Sequence, residues 1–180
     1  MSRLRITGGV WRSRLVQVVD APGLRPTTDR VRETLFNWLG QDLTGLDCLD
    51  LFAGSGILGF EAASRGARRV TQVEAERRVF ATLRANGATL GAAHFEPLLA
   101  DALKFAASAV AQGRKYDLLF LDPPYRQGLL ERVVPYLAPL AQPGMRIYAE
   151  AEHAIESLGD WRATKRGQAG QVFYHLLELA

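Results

Sequence analysis

Leu49-Asp50-Leu51-Phe52-Ala53-Gly54-Ser55-Gly56-Ile57-Leu58-Gly59 is the segment that most clearly indicates the fold class. Its apolar first half predicts a buried strand over 48–52, and the glycines have the G-x-G-x-x-G spacing of a tight turn from a strand into a helix. In an open parallel sheet, ligands bind outside the carboxyl ends of the strands. The stretch therefore predicts an α/β fold and also the position of a ligand site.

Strand and helix patterns alternate along the chain on the C-terminal side of this stretch. Such alternation with short connections predicts a doubly wound, mostly parallel sheet with helices on both faces. A weak strand near 161–164 and a last strand over 171–179 are expected to form a hairpin. The other strands are predicted over 69–74, 95–100, 116–122 and 146–150, and the helices over 57–65, 76–86, 102–112 and 129–141.

The first 40 residues have a different pattern. Two short apolar segments, 4–6 and 15–19, flank Gly8-Gly9, which predicts a β-hairpin. Beyond it, Thr27 or Thr28 is expected to cap a helix whose apolar face consists of Val31, Leu35, Trp38 and Leu39. We therefore expect one domain over 1–180, with a hairpin-and-helix extension over 1–40 and a ligand-binding catalytic core over 41–180.

Positive charge is concentrated near the N-terminus. The chain has 22 Lys and Arg against 19 Asp and Glu, a net charge of +3, whereas residues 1–32 hold seven arginines and two aspartates, a net charge of +5. The remainder therefore carries −2. This asymmetry is typical of a surface that binds a polyanion, although an ordinary solvated surface also accounts for it. The candidate RNA-contacting residues are Arg3, Arg5, Trp11, Arg12, Arg14, Arg25 and Arg30.

Composition argues against a membrane, disulfide or metal protein. No apolar run reaches the ~18 residues that span a bilayer, and the N-terminus lacks a signal-peptide pattern, so we expect a cytoplasmic protein. Cys48 is the single cysteine, which excludes an internal disulfide. His94, His153 and His175 are scattered without metal-ligand spacing, so no protein metal site is expected.

Asp50 favours one class of cofactor. An acidic residue, Glu74, ends the next strand, so a nicotinamide or flavin enzyme is one interpretation. Such a cofactor places a pyrophosphate at the glycine turn, where Asp50 would repel it by roughly 4 kcal/mol at ~4 Å and an effective dielectric of ~20. S-adenosylmethionine has an ammonium group, a sulfonium group and no phosphate, so Asp50 favours it, and Glu74 can accept hydrogen bonds from its ribose.

Asp101 follows the third strand, and from its chemistry it is equally suited to accept from an adenine amino group or to cap the next helix. The candidate cofactor-binding residues at these strand ends are Asp50, Phe52, Gly54, Ser55, Gly56, Glu74, Asp101 and Ala102, and Thr27 joins them below by resemblance.

Asp122-Pro123-Pro124-Tyr125 ends the fourth strand and is the candidate catalytic turn. The prolines lack backbone donors, so the turn presents carbonyl oxygens, a carboxylate and an aromatic ring. These acceptors suit a planar exocyclic amine, whose two hydrogens they would hold while its nitrogen attacks a methyl group. The ring would stack on a base flipped out of its helix. The alternative is an ordinary Pro-Pro turn with a capping aspartate and no catalytic role.

These motifs together resemble those of the RsmD family, bacterial methyltransferases that act on a guanine N2 of small-subunit ribosomal RNA. The resemblance covers nearly the whole chain. The matching stretches are Arg5–Leu15, Arg25–Leu39, Leu49–Gly56, Ser64–Ala67, Asp122–Tyr125 and Gly170-Gln171-Val172-x-Tyr174.

The resemblance implies a class I, Rossmann-like fold whose seven-stranded sheet has an antiparallel last strand, with S-adenosylmethionine as the cofactor. It places the N-terminal hairpin against 16S rRNA, within a small-subunit particle, and the segment Arg25-Pro26-Thr27 over the cofactor pocket. A monomer is expected. The chain departs from the family at Glu76, where Asp or Asn often stands two residues after the ribose-binding acid. By resemblance, the cofactor contacts are Asp50, Gly54, Gly56 and Glu74, with Asp101 near the adenine.

Three other functions stay open from the sequence. The acceptor cluster also suits an enzyme that methylates adenine N6 in DNA or an amine in another RNA. A noncatalytic RNA-binding protein could keep the fold, although it would need neither the glycine turn nor the acceptor cluster. A dehydrogenase would bind NAD rather than S-adenosylmethionine.

Overall fold

The predicted strand before the glycine turn lies in the middle of a mixed sheet. The computed structural model describes residues 1–20 and 27–180. Its strands are β1 (Ser2–Arg5), β2 (Leu15–Val18), β3 (Asp47–Asp50), β4 (Arg69–Glu74), β5 (Phe95–Leu99), β6 (Tyr116–Leu121), β7 (Ala141–Ala151), β8 (Ser157–Leu158), β9 (Trp161–Ala169) and β10 (Val172–Leu179). Its helices are α1 (Asp29–Leu39), α2 (Ile57–Ser64), α3 (Arg77–Leu90), α4 (Ala102–Ala111) and α5 (Leu129–Leu140).

The large sheet has the strand order β5-β4-β3-β6-β7-β10-β9-β8. Neighbours from β5 to β7 pair in parallel, whereas β10 is antiparallel to both β7 and β9. The predicted α/β class, the hairpin of the last two long strands and the antiparallel last strand are therefore confirmed. The described residues add an eighth strand to the predicted seven, the two-residue β8, which pairs with the start of β9.

Strand β6 explains why helices cover both faces of the sheet. Leu118, Leu119, Phe120 and Leu121 are all fully buried. Leu119 and Leu121 belong to the core cluster that α4 and α5 complete, whereas Leu118 and Phe120 belong to the cluster that includes α1 and α2. Because successive side chains of a strand point to opposite faces, a strand that is apolar throughout must be covered on both sides.

The N-terminal extension forms the predicted hairpin and helix. Strands β1 and β2 pair antiparallel as a separate two-stranded sheet. Of the two candidate caps for α1, Thr28 is the one observed, since its hydroxyl accepts from the Val31 amide at 3.4 Å. Trp38 stacks on Tyr174 of β10 at 5.4 Å between ring centroids, so α1 packs on the sheet near its antiparallel strands.

Several element bounds differ from the predictions. Strand β7 begins at Ala141, directly after α5, rather than at Arg146, and its register against β6 shifts between Tyr116 and Leu118. Helix α3 continues to Leu90 and ends at Gly91, whose φ of +69° favours glycine. In the described part of the chain, no helix is long and apolar enough to cross a bilayer.

Pro97 lies in β5, the strand at one edge of the sheet. The Ala100 amide donates to the Glu74 carbonyl of β4, and N–H groups alternate in direction along a strand. The backbone nitrogen of Pro97, three positions earlier, therefore faces away from β4, toward the open edge. This is the position in a sheet that tolerates proline, because no ladder hydrogen bond is lost there.

Candidate active site

A cavity of about 1000 Å³ opens at the carboxyl ends of β3 to β7. This is the edge of a parallel sheet where ligands are expected. The structure thus brings the glycine turn and the Asp122–Tyr125 turn together, because β3 and β6 are neighbours in the sheet. The predicted site residues that line the cavity are Thr27, Asp50, Phe52, Gly54, Ser55, Glu74, Asp101, Ala102 and Asp122–Tyr125.

Asp50 lies on the floor of the cavity and is only 1% exposed. Its carboxylate accepts from the Gln72 side-chain amide at 3.2 Å and from the Phe52 backbone amide at 3.4 Å. Burial raises the pKa of Asp50 to about 7, although these hydrogen bonds act in the opposite direction. A cation that approaches Asp50 would therefore be stabilised by a carboxylate that water barely reaches.

Glu74 is fixed in place by the backbone around it. One carboxylate oxygen accepts from the Gly54 amide at 3.0 Å, and the other accepts from the Glu76 amide at 2.8 Å. Each carboxylate oxygen can accept more than one hydrogen bond, so Glu74 keeps capacity for further donors in the cavity that it lines.

Two of the three glycines serve the packing of α2. Gly56 is not among the residues that line the cavity. It begins α2 with φ +84°, and a Cβ there would lie 2.3 Å from Leu83. A Cβ at Gly59 would lie 2.2 Å from the Gln72 side chain. Gly56 is therefore required where α2 begins close to α3, and Gly59 where α2 approaches β4, whereas Gly54 lines the cavity.

Asp101 does cap a helix, one of its two predicted roles. Its carboxylate accepts from the Lys104 amide at 3.0 Å, at the N-terminus of α4. Asp101 and Ala102 also line the cavity, so a contact with an adenine ring stays a prediction.

The Asp122–Tyr125 turn closes one side of the cavity. Pro123 is buried, Pro124 is exposed, and the side chains of Asp122 and Tyr125 are partly buried at the cavity wall. Arg126 follows with φ +64°, an uncommon conformation for a residue with a side chain. The turn therefore presents its polar groups to the cavity from a constrained backbone.

Glu150 is a cavity residue that the sequence analysis did not select. It lies near the end of β7, is 5% exposed, and accepts from the Thr27 hydroxyl at 2.8 Å. Burial raises the pKa of Glu150, and burial together with the carboxylates of Glu150 and Asp50 raises the pKa of Asp122 well above its usual value. A charged residue that ends a buried strand at the ligand-binding edge was the signal that could have identified Glu150.

These carboxyl groups test whether S-adenosylmethionine suits the cavity. The carboxylates of Asp50 and Glu150 disfavour the ionisation of Asp122, that of Glu150 disfavours the ionisation of Asp50, and a bound cation would relieve this repulsion. A ligand with a pyrophosphate would increase it. The cavity is therefore suited to a ligand that carries ammonium and sulfonium groups. No group of three or more His, Cys, Asp or Glu among the described residues is arranged to hold a metal ion.

The predicted RNA-contacting arginines of the hairpin are exposed. Arg3, Arg5, Arg12 and Arg14 all lie at the surface, as does Arg30 of α1. Trp11 is partly buried, and its backbone amide donates to the Ser64 hydroxyl at 2.9 Å. Arg25, like Pro26, lies outside the described residues. Contact of these residues with RNA stays a prediction.

Arg32 is an exception within the basic N-terminal segment. It is fully buried, and its guanidinium forms an ion pair with Glu61 at 2.6 Å and a second one with Asp29. It also donates to the Arg5 carbonyl at 2.6 Å and to the Thr27 carbonyl at 3.0 Å. Arg32 therefore adds no charge to the surface, since it joins the extension to the core.

Comparisons with known proteins agree with this architecture. The family model described as "Conserved hypothetical protein 95" matches residues 4–178. Ribosomal RNA small subunit methyltransferase D of Escherichia coli (strain K12) is 42% identical over 181 residues, which cover 98% of this chain and 90% of that protein. The chain belongs to the RsmD family.

Two more proteins support this placement in the RsmD family. Ribosomal RNA small subunit methyltransferase D of Haemophilus influenzae is 39% identical, over 97% of this chain and 93% of that protein. The solved structure of yhhF from Escherichia coli has a TM-score of 0.87 and 42% sequence identity, and the match covers 99% of this chain and 98% of that one. The class I methyltransferase fold predicted for this RsmD-family chain is thereby confirmed.

Proposed function

We propose that this chain transfers a methyl group from S-adenosylmethionine to the N2 amine of a guanine in the RNA of the small ribosomal subunit. One observation carries the proposal: the glycine turn and the Asp122–Tyr125 turn face one acidic cavity from neighbouring strand ends. Relatives at 39–42% identity that are named ribosomal RNA small subunit methyltransferase D support the choice of substrate.

The cofactor is expected to bind at the ends of β3, β4 and β5. S-adenosylmethionine supplies a methyl group that its sulfonium already activates, so no metal or covalent nucleophile is required. Asp50 provides negative charge for its positive groups, Glu74 accepts from the ribose hydroxyls, and Asp101 lies toward the adenine. Phe52, Gly54, Ser55 and Ala102 complete the proposed contacts.

The target base is expected to bind at the Asp122–Tyr125 turn. The Asp122 carboxylate and the Pro123 carbonyl accept the two hydrogens of the amine and orient its nitrogen. Positive charge develops on that nitrogen during transfer, so the same acceptors bind more tightly in the transition state than in the ground state. Tyr125 stacks on the flipped base.

RNA outside the cavity is expected to meet the hairpin. The exposed Arg12 and Arg14 can contact phosphates, and such contacts fix the position of a protein on a nucleic acid without reading its sequence. We propose that the shape of the assembled small subunit supplies the remaining specificity and that the chain acts as a monomer.

Transfer of labelled methyl groups tests this function. The protein and the labelled cofactor are incubated with naked 16S rRNA, with small subunits from cells that lack the enzyme, and with duplex DNA. We expect label in the small subunits, at a guanine that releases N2-methylguanine on digestion. Label confined to DNA, or found on adenine N6, would replace the ribosomal function with the alternative amine methylation. Absence of label from every substrate would favour a noncatalytic protein.

A further inference from the structure

Asp122 and Glu150 lie side by side at the ends of adjacent strands. In the parallel pairing of β6 with β7, Leu121 lies opposite Ala149, so the next residue of each strand occupies the next pair of positions. Neighbouring strands are ~4.8 Å apart, which brings two carboxyl groups on the same face within reach of each other. Both side chains line the cavity.

Glu150 is held from the side of the N-terminal extension. One of its carboxylate oxygens accepts from the Thr27 hydroxyl at 2.8 Å, and both residues are more than nine-tenths buried. The Thr27 carbonyl in turn accepts from Arg32 at 3.0 Å, and Arg32 also donates to the Arg5 carbonyl of β1. Buried hydrogen bonds therefore connect the hairpin, through Arg32 and Thr27, with the carboxyl group beside Asp122.

Among the groups around this pair, the Asp50 carboxylate disfavours a second negative charge. Asp50 faces it from β3, Tyr148 lies on its own strand, and Tyr174 of β10 pairs with Glu150 in register. The other titratable side chains that line the same cavity are Glu74, Glu76, Asp101, Tyr125, Arg78, Arg126 and Arg132. Two carboxyl groups that share a buried site cannot both ionise readily, and they titrate as a pair.

Building on the proposed function, we propose that Glu150 is a positioning residue for methyl transfer. Held by Thr27, it shares one proton with Asp122, so that the pair carries a single negative charge and takes up the proton that the methylated amine must lose. The sequence motifs indicate no function for Glu150. Asp122 by itself accounts for how the amine is held, but not for where its proton goes.

The step balances without another reactant. The nitrogen lone pair forms the new N–C bond as the sulfur–methyl bond breaks and its electron pair stays on sulfur. The amine then bears a positive charge and loses one N–H proton to the singly charged pair, which becomes neutral. Water removes the proton when the product leaves, and nothing is oxidised or reduced.

Single-turnover methyl transfer across pH 5.5–9 tests the proposal. Glu150→Gln removes the carboxyl group that shares the proton but preserves the shape and leaves Asp122 with the single negative charge, and Thr27→Val removes the hydroxyl that holds Glu150. The matched controls are Glu156→Gln and Thr34→Val, which make the same changes at the protein surface. Single-turnover rates with excess enzyme and saturating cofactor report the transfer step, and initial rates at varied cofactor and small-subunit concentrations separate kcat from KM.

We expect Glu150→Gln to lower kcat by at least about tenfold, as loss of a proton acceptor does. The pH–rate profile should change shape, because the coupled titration of Asp122 with Glu150 is replaced by the single ionisation of Asp122. Thr27→Val should lower kcat by a smaller factor. KM for both substrates should stay within about threefold. A wild-type profile and a kcat within twofold in Glu150→Gln would overturn the proposal.

Carbon-13 NMR of the carboxyl groups gives a readout that does not depend on turnover. In the unliganded wild type, Asp122 and Glu150 should titrate in two coupled steps, and in Glu150→Gln the step of Asp122 should move to lower pH. Independent titration of both groups below pH 5 would refute the shared proton. Coupled titration in a wild type that methylates no RNA would refute the proposed function but retain the pair. Normal methylation by a wild type whose carboxyl groups titrate independently would retain the proposed function but refute the shared proton.

Discussion

Asp122 is the residue on which the proposed chemistry depends most directly. It lies beyond the end of β6 at the wall of the cavity, whereas the proposed cofactor contacts lie at the ends of β3, β4 and β5. We expect Asp122→Ala to lower kcat by roughly 100-fold or more, because one contact made in the transition state is lost. The Kd of S-adenosylmethionine, measured by calorimetry, should change little. Near-normal turnover would show that the chemistry takes place elsewhere.

Asp50 should make cofactor binding depend on pH. Its pKa is raised to about 7, so below pH 7 the cation must bind a carboxyl group that is mostly protonated and must displace its proton. We expect the Kd of S-adenosylmethionine to rise by up to about tenfold for each pH unit from 7 down to 5.5, a range in which its amino group stays charged. Calorimetry at several pH values measures this dependence.

Asp50→Asn provides the matching comparison. This variant should bind more weakly at pH 7.5 and lose most of the pH dependence, whereas Asp160→Asn at the surface should behave like the wild type. Wild-type affinity that is constant from pH 5.5 to 7 would contradict the role of Asp50.

Helix α2 fixes the N-terminal hairpin to the core. Glu61 of this helix is fully buried and accepts from the Thr7 amide at 3.0 Å, from Arg32 at 2.6 Å and from Arg65 at 2.7 Å. We expect Glu61→Ala to lower the free energy of unfolding by roughly 3–5 kcal/mol, because it leaves buried guanidinium groups without their anion. Urea denaturation measures the change. Glu131→Ala on the exposed side of α5 should cost under about 0.5 kcal/mol.

The elements of the fold and part of the site could be predicted from the sequence, but the long-range polar contacts could not. Local patterns located the strands, the glycine turn and the Asp122–Tyr125 turn, because each depends on neighbours in the chain. The Arg32–Glu61 ion pair and the Thr27–Glu150 hydrogen bond join residues 29 and 123 positions apart. A pattern of apolar residues indicates which face of an element is buried, but it does not identify the polar partner that meets it.

The excess positive charge near the N-terminus predicts how RNA binding by the whole molecule responds to salt. Arg12 and Arg14 are exposed on the hairpin connection, at the end of the chain that carries the excess positive charge. We expect Arg12→Ala/Arg14→Ala to weaken binding of small-subunit RNA and to reduce the slope of log K against log salt by about 1–2, since up to two phosphate contacts are lost. Filter binding at several salt concentrations measures the slope.

The matched control removes two arginines that belong to the large sheet rather than to the hairpin. Arg69 and Arg162 are exposed at the starts of β4 and β9, away from the cavity. The double variant Arg69→Ala/Arg162→Ala changes the net charge equally and should leave the slope near the wild-type value. Equal slopes in both double variants would indicate a nonspecific charge effect rather than an RNA-facing hairpin.

The outward-facing backbone nitrogen of Pro97 affects whether two copies of this protein can associate through the edge strand β5. An open strand edge is a template on which a second chain can add a strand and begin an aggregate. At β5 that template is interrupted, because the central residue of the strand has no hydrogen to offer a newcomer. Addition of a further strand at this edge of the sheet is thus disfavoured by one residue, on a side of the molecule that leaves the cavity open.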